Sequence, residues 1–174
     1  VQSANVRTAC ESGFNTGFSA AAMLTAKLGL NVISIDNMQH PYSHLASSFL
    51  TKAFPSRFKL IEGDVFDVLH TRHNLHCDFV FVDAYAYKDG RQAFGEEIKA
   101  WFRHLSTIKT IMMWESETKY FRNAIEKHFL SVDKLRLLKT LHSVDDGVDP
   151  VSIALFTHHD PLACVTKQRR NEII

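Results

Sequence analysis

The sequence predicts an α/β domain, a mainly parallel sheet covered by helices on both faces and closed by an antiparallel hairpin. Three observations carry this. The stretch Ala9 to Ala22, ACESGFNTGFSAAA, passes from an apolar approach through a glycine-bearing loop into a helix-forming alanine run, the order strand, tight loop, helix. Short apolar segments and helical patterns then alternate as far as Leu130, which calls for parallel strands joined by crossover helices. After Leu130 two further strand-like segments follow with no helix between them, so they must pair antiparallel.

Taken in order, Val6 to Cys10 is short and part β-branched, and Ser19 to Leu28 lacks Pro and Gly. Gly29 stands where a helix C-terminal cap is expected, and NVISI, Asn31 to Ile35, is a compact strand closed by Asp36. Pro41 suits the first turn of a helix through about Phe54, with Leu45, Phe49, Leu50 and Ala53 at helical spacing, and Pro55 stops it. RFKLI, Arg57 to Ile61, is the third strand, followed by Glu62-Gly63-Asp64 and a short helix from Val65 to about His70. CDFVFV, Cys77 to Val82, is the fourth strand, closed by Asp83. Gly90 to Leu105 carries Phe94, Ile98, Trp101, Phe102 and Leu105 at helical intervals, and TIKTIMMW, Thr107 to Trp114, is a fifth strand ending at Glu115. Lys119 to Leu130 is a helix. Leu135 to Leu141 and Val151 to Thr157 are the closing pair, which makes seven strands, and Ala163 to Ile174 is a polar tail.

The totals fit one domain. A chain of 174 residues buries a sizeable core but leaves little room for two domains. Hydrophobic content of 45%, 22% charged residues and a formal charge of +1 give no general attraction to nucleic acid or membrane. Cys10, Cys77 and Cys164 are widely spaced with no C-x-x-C, so neither a disulfide framework nor a zinc knuckle is expected, and a reducing, cytoplasmic setting is the default. No apolar run is long enough to span a bilayer. The sequence opens at Val1 rather than Met, so a trimmed start is expected. His70, His73 and His76 step by three into Cys77, but side chains spaced so across a helix end do not converge on zinc.

In an open α/β sheet the ligand crevice lies beyond the carboxyl ends of the strands. Here Glu11, Asp36, Asp64, Asp83 and Glu115 stand at those ends. The glycine loop beside a helix N-terminus marks a nucleotide-type cofactor site. A dinucleotide loop starting at Gly13 would need glycine where Asn15 and Phe18 stand, and Glu11 would repel a pyrophosphate. A cationic ligand suits these acids better, and the two oxygens of Asp36 suit a ribose diol.

The pattern E-x-G-x-N-x-G, Glu11 to Gly17, resembles the first motif of class I S-adenosylmethionine-dependent methyltransferases, with Asn15 where many members carry a middle glycine. Together with SIDN, FPSRFKLIEGD and CDFVFVDA it resembles the small-molecule branch that includes the catechol and caffeoyl-CoA O-methyltransferase type, over roughly Val6 to His159. The resemblance implies a single Rossmann-like domain over residues 1–160 and a tail over 161–174. It implies S-adenosylmethionine as cofactor, with Glu11, Gly13 and Asn15 at its methionine end, Asp36 at the ribose and Glu62-Gly63-Asp64 at the adenine edge. Phe14, Gly17, Asn37 and Asp83 complete that set.

For the metal-dependent type it further implies Mg²⁺, with Asp83 as one ligand and Glu115 where an Asp-Asn pair would begin, and Lys88 of DAYAYKDG as general base. Tyr85 and Tyr87 would wall the acceptor pocket. The implied activity is methyl transfer to a small-molecule acceptor, a hydroxyl, by in-line displacement. The alternative is a catalytically inactive module that keeps the fold. A nucleic-acid acceptor is disfavoured, since Asp83-Ala84-Tyr85 lacks the Pro-Pro-aromatic stretch of amino-methylating enzymes and no basic face is evident. No membrane contact is expected, and a homodimer is allowed.

Overall fold

A computed structural model describes residues 6–72, 74–84, 97, 100, 101, 104, 108, 110–113, 135–142 and 152–158. Five strands run parallel in the order β3-β2-β1-β4-β5: β1 Thr8–Ser12, β2 Asn31–Asp36, β3 Phe58–Glu62, β4 Phe79–Val82 and β5 Thr110–Met113. Three helices stand between them, α1 Phe18–Ala26, α2 Pro41–Ala53 and α3 Val65–Thr71. Beyond β5 the backbone sets β7, Ser152–His158, antiparallel to β5, and β6, Leu135–His142, antiparallel to β7. The predicted helix over 119–130, Trp114 and the tail over 161–174 lie outside the described residues.

The chain builds outward from β1 to β3, then returns across β1 to β4, so the strand order reverses between β1 and β4. Such a reversal splays the two strand-to-helix connections apart and opens a crevice at the carboxyl ends. Backbone bonding continues past those ends: Gly13 N–H donates to Ile35 O at 2.9 Å, Gly63 N–H to Asp36 O at 2.9 Å and Asp83 N–H to Ser12 O at 3.0 Å. At the opposite end Asp78 Oδ2 accepts from the N–H groups of Arg7 at 2.8 Å and Thr8 at 3.0 Å, tying β1 to the entry of β4.

Alternate residues of each strand feed two cores. Ala9, Val32, Phe79 and Phe81 pack with Met23 and Leu24 of α1 and Leu50 of α2. Cys10, Ile35, Val80 and Val82 pack with Val68 and Leu69 of α3 and with Trp101. Glu97, Ala100 and Trp101 are helical, within the predicted 90–105 segment.

Three expectations change. The first strand runs to Ser12 rather than Cys10, because β2 and β4 pair it on both sides as far as Ser12; Glu11 therefore lies in the strand, where neighbour pairing overrides its low β preference. In α2 the inward residues are Ser43 and Leu50, while Leu45 and Phe49 are 75% and 69% exposed, so the apolar spacing marks two stripes. Finally, Cys10 and Cys77 form a disulfide, their Cα atoms 5.7 Å apart. A separation of 67 residues hid this contact, which exists because β4 returns beside β1. Among the described residues no helix is long and apolar enough to cross a membrane.

Candidate cofactor-binding site

The loop between β1 and α1 rests directly on the end of β4. Gly13 has φ +87°, and a Cβ there would lie 2.5 Å from the backbone oxygen of Asp83, so only glycine permits the approach. Asn15 has φ 49°, a left-handed conformation that Asn tolerates better than other side-chain-bearing residues; this is how it replaces a middle glycine. Gly17 N–H closes the turn on Phe14 O at 2.7 Å, and Ala21 N–H then takes Gly17 O at 2.9 Å as α1 begins.

Asp36, half-buried at the end of β2, holds this loop. Its Oδ2 accepts from Phe14 N–H at 2.7 Å and Asn15 N–H at 3.0 Å, and its Oδ1 from Met38 N–H at 2.6 Å. A carboxylate offers about four lone-pair positions. Three are taken, which leaves one on Oδ1 for a ligand hydroxyl rather than both oxygens for a diol.

Glu11 sits beneath the loop, fully buried. Its Oε2 accepts from Ser19 Oγ at 2.5 Å and its Oε1 from Ser34 Oγ at 2.6 Å, so one carboxyl clips the start of α1 and the middle of β2 to β1. Burial pushes its pKa up to about 7, the serine hydrogen bonds oppose the rise, and the charges of Asp83 and Asp36 add to it.

On the other face of β1, Glu97 accepts from Ser12 Oγ and is equally buried. Burial raises its pKa to about 7 too; the Ser12 hydrogen bond and the adjacent Trp101 indole oppose this, and Asp83 and Asp64 reinforce it. Among the described residues its Oε2 and Trp101 Nε1 have no hydrogen-bond partner of good geometry. Glu97 escaped the sequence reading, although its position four residues before Trp101 and three before Ala100 puts an acid on the buried side of that helix.

The remaining residues fall as follows. Asp64 caps α3, its Oδ1 accepting from Phe66 N–H at 2.8 Å, and Gly63 precedes it at φ +151°. Asn37 is exposed and its Oδ1 accepts from Gln39 N–H at 3.3 Å. The Phe14 ring turns into the core against Phe58, centroids 5.5 Å apart, so only its backbone belongs to the loop. Asp83 is exposed at the mouth of the crevice. Lys88, Tyr85, Tyr87, Glu115 and Ser116 lie outside the described residues. Among the described residues no group of three His, Cys, Asp or Glu side chains is placed to hold a metal ion. His70 Nδ1 is bonded to Phe66 O at 2.7 Å, and Cys77 is in the disulfide.

Beside the loop lies a cavity of about 360 Å³, bounded by Gly13, Asn15 and Ser19 on one side, by Phe79, Phe81 and Met112 on the sheet, and by Asp83 at its mouth. Among the described residues no Lys or Arg lines it. Asp36 and Asp83, joined by Glu11 when it is ionised, give this end of the sheet a negative field, which favours a cationic ligand and opposes a phosphate.

A family model described as a methyltransferase domain matches residues 10–116. No curated protein sequence matches the chain. Solved structures share its fold. A candidate tRNA (m1A22) methyltransferase from Streptococcus pneumoniae superposes with a TM-score of 0.64 at 6% identity, over 89% of this chain and 65% of the other, and with 0.66 when bound to S-adenosyl-L-methionine. This chain thus spans about two thirds of that protein's length. The O-methyltransferase from Bacillus cereus, in complex with SAH, superposes with 0.64 at 16% identity, over 87% of this chain and 74% of the other. The O-methyltransferase TomG from Streptomyces achromogenes, involved in tomaymycin synthesis and bound to SAM, gives 0.62 at 16% identity over the same shares.

Proposed function

Because the chain belongs to the methyltransferase domain family and is an enzyme of the class I S-adenosylmethionine-dependent type, we propose that it transfers the cofactor's methyl group to a hydroxyl of a small molecule. The observation that carries this reading is the convergence of Glu11, Asp36 and Asp83 on a glycine loop whose adjoining cavity has, among the described residues, no cationic side chain. In this reading the methionine end lies over Gly13 and Asn15, with the Glu11 carboxyl beneath it. One ribose hydroxyl donates to Asp36 Oδ1, and the adenine edge lies along Gly63 and Asp64. The antiparallel β6 and β7 complete a seven-stranded methyltransferase sheet.

The acceptor oxygen attacks the methyl carbon in line with the breaking carbon–sulfur bond. When bound, S-adenosylmethionine would supply a methyl carbon on a sulfonium that leaves as a neutral thioether, and Asp83 or water would take the acceptor proton. Alignment supplies most of the acceleration. Of the two carboxylates expected at Mg²⁺, only Asp83 lies among the described residues, where no group of three His, Cys, Asp or Glu side chains stands together.

A polynucleotide acceptor is the second reading, because the candidate tRNA enzyme matches this fold as well as the O-methyltransferases do. Fold likeness therefore does not support excluding nucleic acid. The formal charge of +1 favours the small molecule, since binding a phosphate backbone draws on many cationic contacts.

Calorimetric titration with S-adenosylmethionine and NAD tests the cofactor. The expected result is about micromolar binding of the first, none of the second, and a loss of about 1–3 kcal/mol in Asp36→Ala. Labelled methyl transfer is then followed to catechols and to transcribed tRNA. No binding of S-adenosylmethionine overturns the cofactor assignment, and labelling of tRNA alone overturns the small-molecule one.

A further inference from the structure

Helices α1 and α2 leave one apolar face open. Between Phe18 and Ala26, α1 has no charged residue, a composition suited to a helix covered on all sides, yet Phe18 is 80% exposed. On α2, Tyr42, Leu45 and Phe49 stand at i, i+3 and i+7 on one face and are 46%, 75% and 69% exposed. Between the helices runs a groove of about 660 Å³ whose lining includes the small residues Thr16, Gly17, Ala21 and Ala46 and, among the described residues, no charged one.

We propose that this face is the two-fold interface between two copies of this chain. The area is sufficient. At about 200 Å² for a fully exposed side chain of this size, Phe18, Tyr42, Leu45 and Phe49 present roughly 500 Å² per copy. Two facing copies cover about 1,000 Å², where specific interfaces begin. The face is also self-complementary. It carries both protruding rings and a small-residue groove, so a two-fold axis sets the ridge of each copy into the groove of the other. With no charged residue in the lining among the described residues, the two copies meet there without placing like charges together. Thr16 and Phe18 line both this groove and the cavity beside the cofactor loop, so the partner copy borders the binding site.

Sedimentation velocity on the full chain, from roughly 1 to 100 µM, tests this directly, alongside Leu45→Asp, Phe49→Asp and the control Leu28→Asp, which alters a residue 91% exposed outside the groove. The expected result is a dimer in the unmodified chain and in Leu28→Asp, with dimerisation weakened at least about 100-fold in the two groove variants. These positions are exposed, so the variants fold, as circular dichroism will show. A monomer throughout that range overturns the proposal. So does a dimer that survives both groove substitutions, or one that Leu28→Asp dissociates equally, since each places the contact elsewhere.

Discussion

A methyl group on Gly13 would enter space already held by the Asp83 backbone carbonyl, 2.5 Å away. Neither partner is a flexible side chain, so the strain goes into the strand ends. Gly13→Ala is expected to abolish cofactor binding and to cost about 2–4 kcal/mol of stability, read by titration and urea unfolding. Glu97 acts in the opposite sense, because its burial is itself unfavourable. Its carboxyl holds a proton up to about pH 7 when folded, against an ordinary 4.5. The folded state thus binds more protons than the unfolded one between those values, and stability falls as pH rises through that window. Glu97→Gln keeps an acceptor for Ser12 and removes the charge. It is expected to be more stable than the parent at pH 8, by on the order of 2–3 kcal/mol, and nearly equal to it at pH 4, which urea midpoints at the two pH values will check. Glu11 shares the raised pKa, so a residual pH slope remains in the variant. At this scale the loop was legible, because glycines and an acid within seven residues carry their geometry locally. The Ser12–Glu97 contact was not, since it joins residues 85 apart through the sheet.

The strands and helices up to β4 were legible from period and punctuation, but their covering was not. Leu45, Phe49 and Leu50 fit one helical stripe on paper, and only the position of the sheet decides that Leu50 faces in and the other two face out. The same limit applies to the link between β1 and β4. Nothing near Cys10 or Cys77 in the sequence distinguishes a paired cysteine from a buried thiol, and adjacency of the strands supplies the difference. Because the bond closes a long loop of unfolded chain, its reduction is expected to lower stability by about 2–4 kcal/mol. Urea unfolding with and without dithiothreitol measures this. Both sulfurs are buried, so reduction should proceed faster in partly denaturing urea than in buffer.

Across the whole molecule, the alternating pattern identified a parallel sheet, while the strand order depended on where the chain reverses. That reversal places β1 in the interior, between β2 and β4. It also sets a timetable for biosynthesis. Asp78, which anchors the entry of β4 to the backbone of Thr8, follows it by 70 residues. At a synthesis rate of about 5–20 residues per second, β1 waits roughly 4–14 s for that partner. Throughout this interval β1, joined first by β2 and later by β3, keeps a bare edge, a template for stray strands. A ribosome-bound chaperone that shields this edge until β4 emerges would therefore raise the yield of folded protein more than one acting after release.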